Sequence, residues 1–313
     1  MKHDTRALIV VVNTRKAECT LQCLKSAATL EQFSDVDVVV ADNNSGSGVI
    51  SQLQLAISEY PNVELVEARE NLGYFGAAKL GLKHYLLSHA MPDWIIVSND
   101  DILFPDVRFL TRLFQKDAES VGMVAPTIIS ALTEHDANPS VRQRPGRLRM
   151  LRYRIWISNY YTMWFKQWLS PHVRKVRFRF SDRTPSPEKS VCRPIYAPHG
   201  SFLIFSRRFF EAGGFIDDGA FLYYEEFSVA EMCRQMGLPV IHDPELRVRH
   251  EEGQTLGRKL SRASYLHQKN GFGYIWFRYK NSYPELGRRG LERTLGQEAT
   301  AHKMSSAVQE RAR

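Results

Sequence analysis

Cysteine is scarce in this sequence and long apolar runs are missing from it, and each absence narrows the field. The four cysteines are Cys19, Cys23, Cys192 and Cys233. Apart from one C-x3-C inside a helical pattern they lack metal-ligand spacing, a usage expected of a reduced, cytoplasmic chain. No stretch reaches the roughly 18 to 20 apolar residues that cross a bilayer. The apolar part of "MKHDTRALIVVV" is too short for a signal peptide, so any membrane contact is expected to be peripheral. Glycine signatures are absent too. No G-x-G-x-x-G follows "ALIVVV", and there is no G-x-x-x-x-G-K-[ST], H-E-x-x-H or G-x-S-x-G. Dinucleotide-binding dehydrogenases, phosphate-loop ATPases, zincin proteases and serine hydrolases thereby drop out as leading readings.

What is present supports a folded chain. With 313 residues, 43% hydrophobic and 11% aromatic, it can bury a sizeable core and is too apolar for wholesale disorder. The formal charge of +8 favours an anionic partner: nucleic acid, a phosphorylated small molecule or an acidic membrane surface.

The first half alternates regularly. "ALIVVV", "DVDVVVAD", "VELVEA" and "DWIIVSND" read as strands; "KAECTLQCLKSAATL", "GVISQLQLAISEY" and "FGAAKLGLKHYLLSHA" read as helices between them. Such alternation predicts an α/β fold with a mostly parallel central sheet and helices on both faces. Ligands of open sheets sit beyond the carboxyl ends of the strands. The turns "VNTR", "DNNSGSG", "ENLGYFG" and "SNDD" all fall at such ends, so they are expected to converge along one rim.

Between about Ala137 and Ser181 acidic residues are absent, while arginines crowd "RQRPGRLRMLRYR" and aromatics crowd "RIWISNYYTMWFKQWL". A surface helix pair whose arginine stems cover apolar groups explains this as well as an interfacial segment on anionic lipid does. Ordered structure is expected again from "PIYAPHGSFLIF" onward, with one further helix in "LSRASYLHQKNGFGYIWFRYK" and a polar tail.

Three features carry chemistry. In "WIIVSNDDILFP" an apolar strand runs into Asn99, Asp100 and Asp101, a pattern suited to a divalent cation shared with a phosphorylated substrate, or to a solvated turn. Glu225 and Glu226 follow the aromatic run "AFLYY". Desolvation there would raise a carboxylate pKa into the range of a general base, whereas an exposed helix start would carry acids for its dipole alone. His250 falls at the end of the alternating "ELRVR" and by itself is more often structural.

Taken in order, these stretches resemble family 2 glycosyltransferases of the GT-A fold, a Rossmann-like architecture, and within them the rhamnosyltransferase-like group that extends lipid-linked polysaccharides. "VVNTRKAECTLQCLKSA" is similar to the first strand and helix, "VVVADNNSGSG" to the V-D-N-x-S turn, and "ARENLGYFGAAKLGL" to the N-x-G-x-x-x-A-x-N-x-G stretch. "VSNDDILFP" resembles a variant D-x-D, "GSFLIFSRRFFEAGGFIDDGAFLYYEE" the acceptor-side segment ending in E-D, and "VRHEEGQT" the late histidine.

The resemblance implies an inverting, metal-dependent transferase acting in cell-surface polysaccharide synthesis. By it, Asn13 and Asp42 line the base and ribose pocket, Asn71 and Gly73 lie against the nucleotide, and Asn99 and Asp100 flank the donor. Asp101 holds magnesium or manganese, His250 approaches the same metal or the diphosphate, and Glu226 is the base with Glu225 as its substitute. The implied partners are a nucleoside diphosphate sugar, first of all dTDP- or UDP-linked, a glycan or polyprenyl-linked glycan acceptor, and an anionic membrane surface, with no nucleic acid. The implied layout is a GT-A domain over 1–256, a basic aromatic insertion over 137–190, and a C-terminal helix and tail over 257–313. The place is cytoplasmic, peripheral on the inner face of the cytoplasmic membrane. Competing expectations are a nucleic-acid binder using the basic aromatic segment, a non-catalytic GT-A scaffold, and a nucleotidyl transferase, whose phosphate loop "VVNTRKAE" does not supply.

Overall fold

Why the first strand can be apolar at every position is visible in where its side chains go. In the computed structural model, which describes residues 6–165, 191–251, 261–287 and 290, β1 (Ala7–Asn13) is buried throughout. Ile9 and Val11 enter the core on one side of the sheet, and Leu8, Val10 and Val12 enter the core on the other. A strand covered on both faces needs no polar alternation.

Four parallel strands form the first half, in the order β3 (Val63–Glu67), β2 (Val36–Asp42), β1, β4 (Trp94–Asn99). Helices α1 (Ala17–Ala27), α2 (Ser47–Ile57) and α3 (Gly73–Leu86) connect them, as the alternation predicts. The second half is mixed. β5 (Ile102–Leu103), β6 (Met123–Ser130), β7 (Arg193–Ile195), β8 (Phe202–Ser206) and β9 (Val240–His250) extend the sheet to nine strands in the order β3-β2-β1-β4-β8-β6-β9-β5, with β7 beside β9. β8 runs antiparallel to both β4 and β6, whereas β6 and β9 are parallel.

Short helix α4 (Phe109–Leu113) packs against β9, and short helix α6 (Arg207–Glu211) follows directly on β8 in the middle of the sheet. A third apolar cluster lies apart from the two sheet cores, under α5 (Arg147–Ile157), α7 (Glu225–Met236) and α8 (Arg262–Asn281). It is built from rings: Tyr196, Phe227, Tyr265, Phe272 and Tyr279 are all buried there. The inner part of the basic insertion, 166–190, and the polar tail beyond 290 lie outside the described residues. All four cysteines are free.

Candidate active site

The rim expected from the turns exists, and backbone geometry explains it: parallel strands β1, β2 and β4 end side by side, so their following turns are neighbours. Asn13 pairs with Asp42 across the β1–β2 register. Its Nδ2 donates to Asp42 Oδ1 at 2.6 Å, and Thr20 Oγ1 donates to its Oδ1 at 2.5 Å. Asp42 Oδ2 accepts from the Ser45 amide at 2.9 Å. Both residues are fully buried, so they shape the turn from beneath.

Asn43, which the sequence reading passed over although "DNNSGSG" contains it, joins two turns. Its Oδ1 accepts from the Leu72 amide at 2.7 Å, and its Nδ2 donates to Asn71 Oδ1 at 3.1 Å and to the Gly73 carbonyl at 3.2 Å. Gly73 is held at φ +75°, and a Cβ there would meet the Phe221 carbonyl at 2.1 Å. Only glycine fits both constraints. That close approach ties the 71–73 turn to the segment leading into Glu225. Lys79, further along α3, is engaged with Asp218 at 2.8 Å.

At the end of β4 the three polar residues separate. The Asn99 amide donates to the Ser201 carbonyl at 2.9 Å. Asp100 turns toward β1, where its Oδ2 accepts from the Thr14 amide at 3.1 Å. Burial first and the neighbouring Asp101 second push its pKa up to about 7. Asp101 turns the other way. Because Ile102 pairs with His250 in the β5–β9 ladder, two residues distant in sequence meet: Asp101 Oδ1 lies 3.0 Å from His250 Nε2. That oxygen has no aligned hydrogen-bond donor, and both side chains are buried.

A hard oxygen and an imidazole nitrogen converging at one point suit magnesium or manganese, which bind proteins through few ligands and complete their shell with phosphate oxygens and water. Among the described residues no third histidine, cysteine or acid joins them.

The other carboxylates near the site come from α7. Both sit in its first turn, as the helix-start reading expects, yet they are not exposed. Glu225 is 4% exposed, and burial together with Glu226 pushes its pKa up to about 8. Its Oε1 has no hydrogen-bond partner. Burial lifts Glu226 to about 7, so the desolvation outweighs the helix dipole.

Glu226 Oε2 lies 3.3 Å from where a Cβ on Gly200 would stand. The neighbouring His199 ring lies 6.0 Å from that of His250, and its amide donates to Asn138 Oδ1 at 2.7 Å. One short segment, His199–Ser201, therefore lies near Glu226, Asn99 and His250 together. Sequence reasoning missed His199 and Gly200, since their only signal was membership of the quoted "PIYAPHGSFLIF" stretch. Ahead of Glu225, Tyr223 and Tyr224 both adopt left-handed φ, 73° and 72°, a conformation that costs roughly 1–2 kcal/mol per side-chain-bearing residue. α8 holds them there, its Gly271 lying where a Cβ would be 2.9 Å from the Tyr223 carbonyl.

The family model of glycosyl transferase family 2 matches residues 7–211, from the first strand through the His199–Ser201 segment. The chain belongs to this family. The family 2 enzyme is 26% identical over 283 residues to the N-acetylglucosaminyl-diphospho-decaprenol L-rhamnosyltransferase of Mycobacterium tuberculosis, covering 87% of this chain and 84% of that protein. Its fold is similar to that of GalNAc-T7 solved with UDP, GalNAc and Mn2+, with TM-score 0.57, 13% identity, and 96% and 58% of the two chains covered. It is also similar to TarS of S. aureus, with TM-score 0.50 and 10% identity over 79% of this chain and 36% of that one. The α/β architecture expected from the sequence is thus that of known glycosyltransferases, and glycosyl transfer is the activity of the family to which the chain belongs.

Proposed function

We propose that the protein is an inverting glycosyltransferase that moves a sugar from a nucleoside diphosphate sugar to a hydroxyl of a lipid-linked glycan, in cell-surface polysaccharide synthesis. The observation carrying this reading is that half-buried, pKa-raised Glu226 and His250 of the Asp101–His250 pair both come close to the His199–Ser201 segment. Asp101 and His250 would hold magnesium or manganese, which when bound stabilises the negative charge developing on the departing diphosphate.

Glu226 takes the proton from the acceptor hydroxyl as that oxygen attacks the anomeric carbon and the bond to the diphosphate breaks. Positioned general bases contribute about 10² to 10⁴ in rate. Base and diphosphate on opposite sides of the sugar give inversion. Glu225, more deeply buried and with a higher pKa, stays protonated near neutrality and acts as a hydrogen-bonding neighbour. Asn13, Asp42 and Asn43 order the base and ribose side, with dTDP or UDP as the expected donor nucleotide, while Asn71, Gly73, Asn99 and Asp100 border the donor.

The acceptor class is supported by the similarity to the mycobacterial enzyme, whose name specifies a diphospho-decaprenol acceptor, and by the surface of α5. Leu148, Leu151 and Ile155 are exposed there beside Arg147, Arg149, Arg152 and Arg154, followed by exposed Tyr161, Trp164 and Phe165. No helix among the described residues is long and apolar enough to cross a membrane. Arginines with tryptophan and tyrosine suit the headgroup level of an anionic bilayer, so we place the catalytic unit, residues 1–256, peripherally on the cytoplasmic face.

Calorimetry tests the donor half: uridine, thymidine and guanosine diphosphates and their sugars, with and without manganese, against wild type and Asp101→Ala. Manganese-dependent binding of one nucleotide, lost in Asp101→Ala, is the expected result. A folded protein that binds none of them would overturn the reading in favour of a non-catalytic scaffold.

A further inference from the structure

Between α5 and α8 lies a groove of about 340 Å³, at the small end of the range of ligand pockets, roughly 300–1,000 Å³. Ile157, Phe272 and Trp276 form its apolar walls, Gly273 its floor, and Arg154 and Lys269 its cationic margin. Among the described residues no acidic one lines it. The two cations lie over rings: Arg154 is 5.5 Å from the Trp276 ring centre, and Lys269 is 5.9 Å from that of Tyr265. Arg144, in the same basic stretch, shows the contrast, since it is locked to Glu231 at 2.6 Å.

Two glycines of α8 are present for different reasons. Gly271 is required by packing against the Tyr223 carbonyl, but a Cβ added at Gly273 would meet nothing within 4 Å. Gly273 faces open space, and its lack of a side chain keeps the groove open. One ring, Tyr224, links the wall of the groove to the glutamates of α7. The Phe272 wall packs edge-on against Tyr224 at 5.6 Å, and Tyr224 directly precedes Glu225 and Glu226. The exposed apolar residues Leu151 and Ile155 of α5 and Leu266 and Phe277 of α8 belong to the two helices that flank it.

We propose that this groove seats the isoprenoid diphosphate of the acceptor, with the diphosphate on Arg154 and Lys269 and the first isoprene units against Ile157, Phe272 and Trp276. This rests on the lipid-linked acceptor reading above. A sugar attached to that diphosphate extends past Tyr224 toward Glu226, while the remainder of the chain runs outward along exposed apolar side chains into the bilayer. Charge complementarity and an apolar wall together select a phosphorylated lipid over either a bare anion or a neutral lipid.

The test titrates full-length protein with geranylgeranyl diphosphate, inorganic pyrophosphate and geranylgeraniol, following the fluorescence of tryptophan. Expected is binding of the prenyl diphosphate at least tenfold tighter than of either control. A further loss of at least tenfold is expected in Gly273→Leu and in Arg154→Gln/Lys269→Gln, with thermal melting unchanged. Equal affinity for pyrophosphate, or wild-type affinity in Gly273→Leu, overturns the proposal. So does displacement of the probe by anionic vesicles free of isoprenoid, which would make the groove a headgroup site.

A transfer assay separates the two levels of inference. Wild-type rates of transfer to a prenyl-linked acceptor by Gly273→Leu sink the groove and leave the acceptor reading standing. Transfer by wild type only to a soluble glycan sinks the acceptor reading itself.

Discussion

The two sides of the cleft are built by opposite means. On the proposed donor side, polar side chains at the ends of parallel strands are sealed and paired: Asn13 with Asp42, Asn43 with the 71–73 turn, Asp100 with the Thr14 amide. On the proposed acceptor side, helices α5, α7 and α8 pack rings edge to face, carry cations over aromatics, and leave leucines, an isoleucine and a phenylalanine exposed. A nucleotide is a constant ligand, and buried hydrogen bonds hold its seat to one geometry. A lipid-borne acceptor must be met at a membrane, where apolar contact without fixed direction suffices. The strand-end side is thus held by directional hydrogen bonds and the helical side by apolar contact.

The strongest challenge to that contrast is Glu226→Gln. Transfer should fall by about 10² to 10⁴ in kcat while nucleotide affinity measured calorimetrically stays at the wild-type value. An equal loss in nucleotide affinity would mean that Glu226 belongs to the donor side.

Replacing the four α5 arginines with glutamine comes next. At about 1 kcal/mol per basic residue near an anionic surface, flotation with anionic liposomes should drop by two to three orders of magnitude, with nucleotide binding untouched. Unchanged flotation would make α5 an ordinary solvated helix. Gly73→Ala probes the strand-end side: a left-handed φ and a 2.1 Å approach to Phe221 should cost roughly 2–4 kcal/mol in urea denaturation and weaken nucleotide binding. A stability change near zero would show that this turn yields.

The smallest effect is one of pH. With Glu226 at about 7, kcat/KM should be half-maximal near pH 7 and fall tenfold per unit well below it. Stability runs the other way. The folded pKa values of Glu225 and Glu226 lie above their ordinary 4.5, so the native state binds more protons than the unfolded one. Stability is therefore greatest below about pH 4.5 with respect to these groups and is lost as pH rises through about 7 to 8. Glu225→Gln should flatten that decline in chemical denaturation between pH 5 and 8, and an unchanged slope would place the ionisation elsewhere.

Much of the donor side was legible because strand and helix periods are local. The run "ALIVVV" demands cover on both faces, and polar turns at successive strand ends converge whenever the strands are parallel. The acceptor side was less legible because its contacts join segments far apart in the chain: Tyr224 with Phe272, Arg154 with Trp276, Arg144 with Glu231. Likewise the aromatic run before Glu225 and Glu226 pointed to desolvation, but only packing separates the two, sending Glu226 to Gly200 and leaving Glu225 the more deeply buried.

By itself the sequence determined the α/β class, the rim of turns, the acidic strand end and the basic aromatic stretch, since each follows from composition or period within a few tens of residues. Tertiary structure alone decided that Asp101 meets His250 through the β5–β9 ladder, that Asn43 clasps the 71–73 turn, and that α5 and α8 enclose a groove one ring away from the carboxylates. Those outcomes depend on strand order, register and helix packing, which are set by the burial of the whole chain and are not written in any one stretch of it.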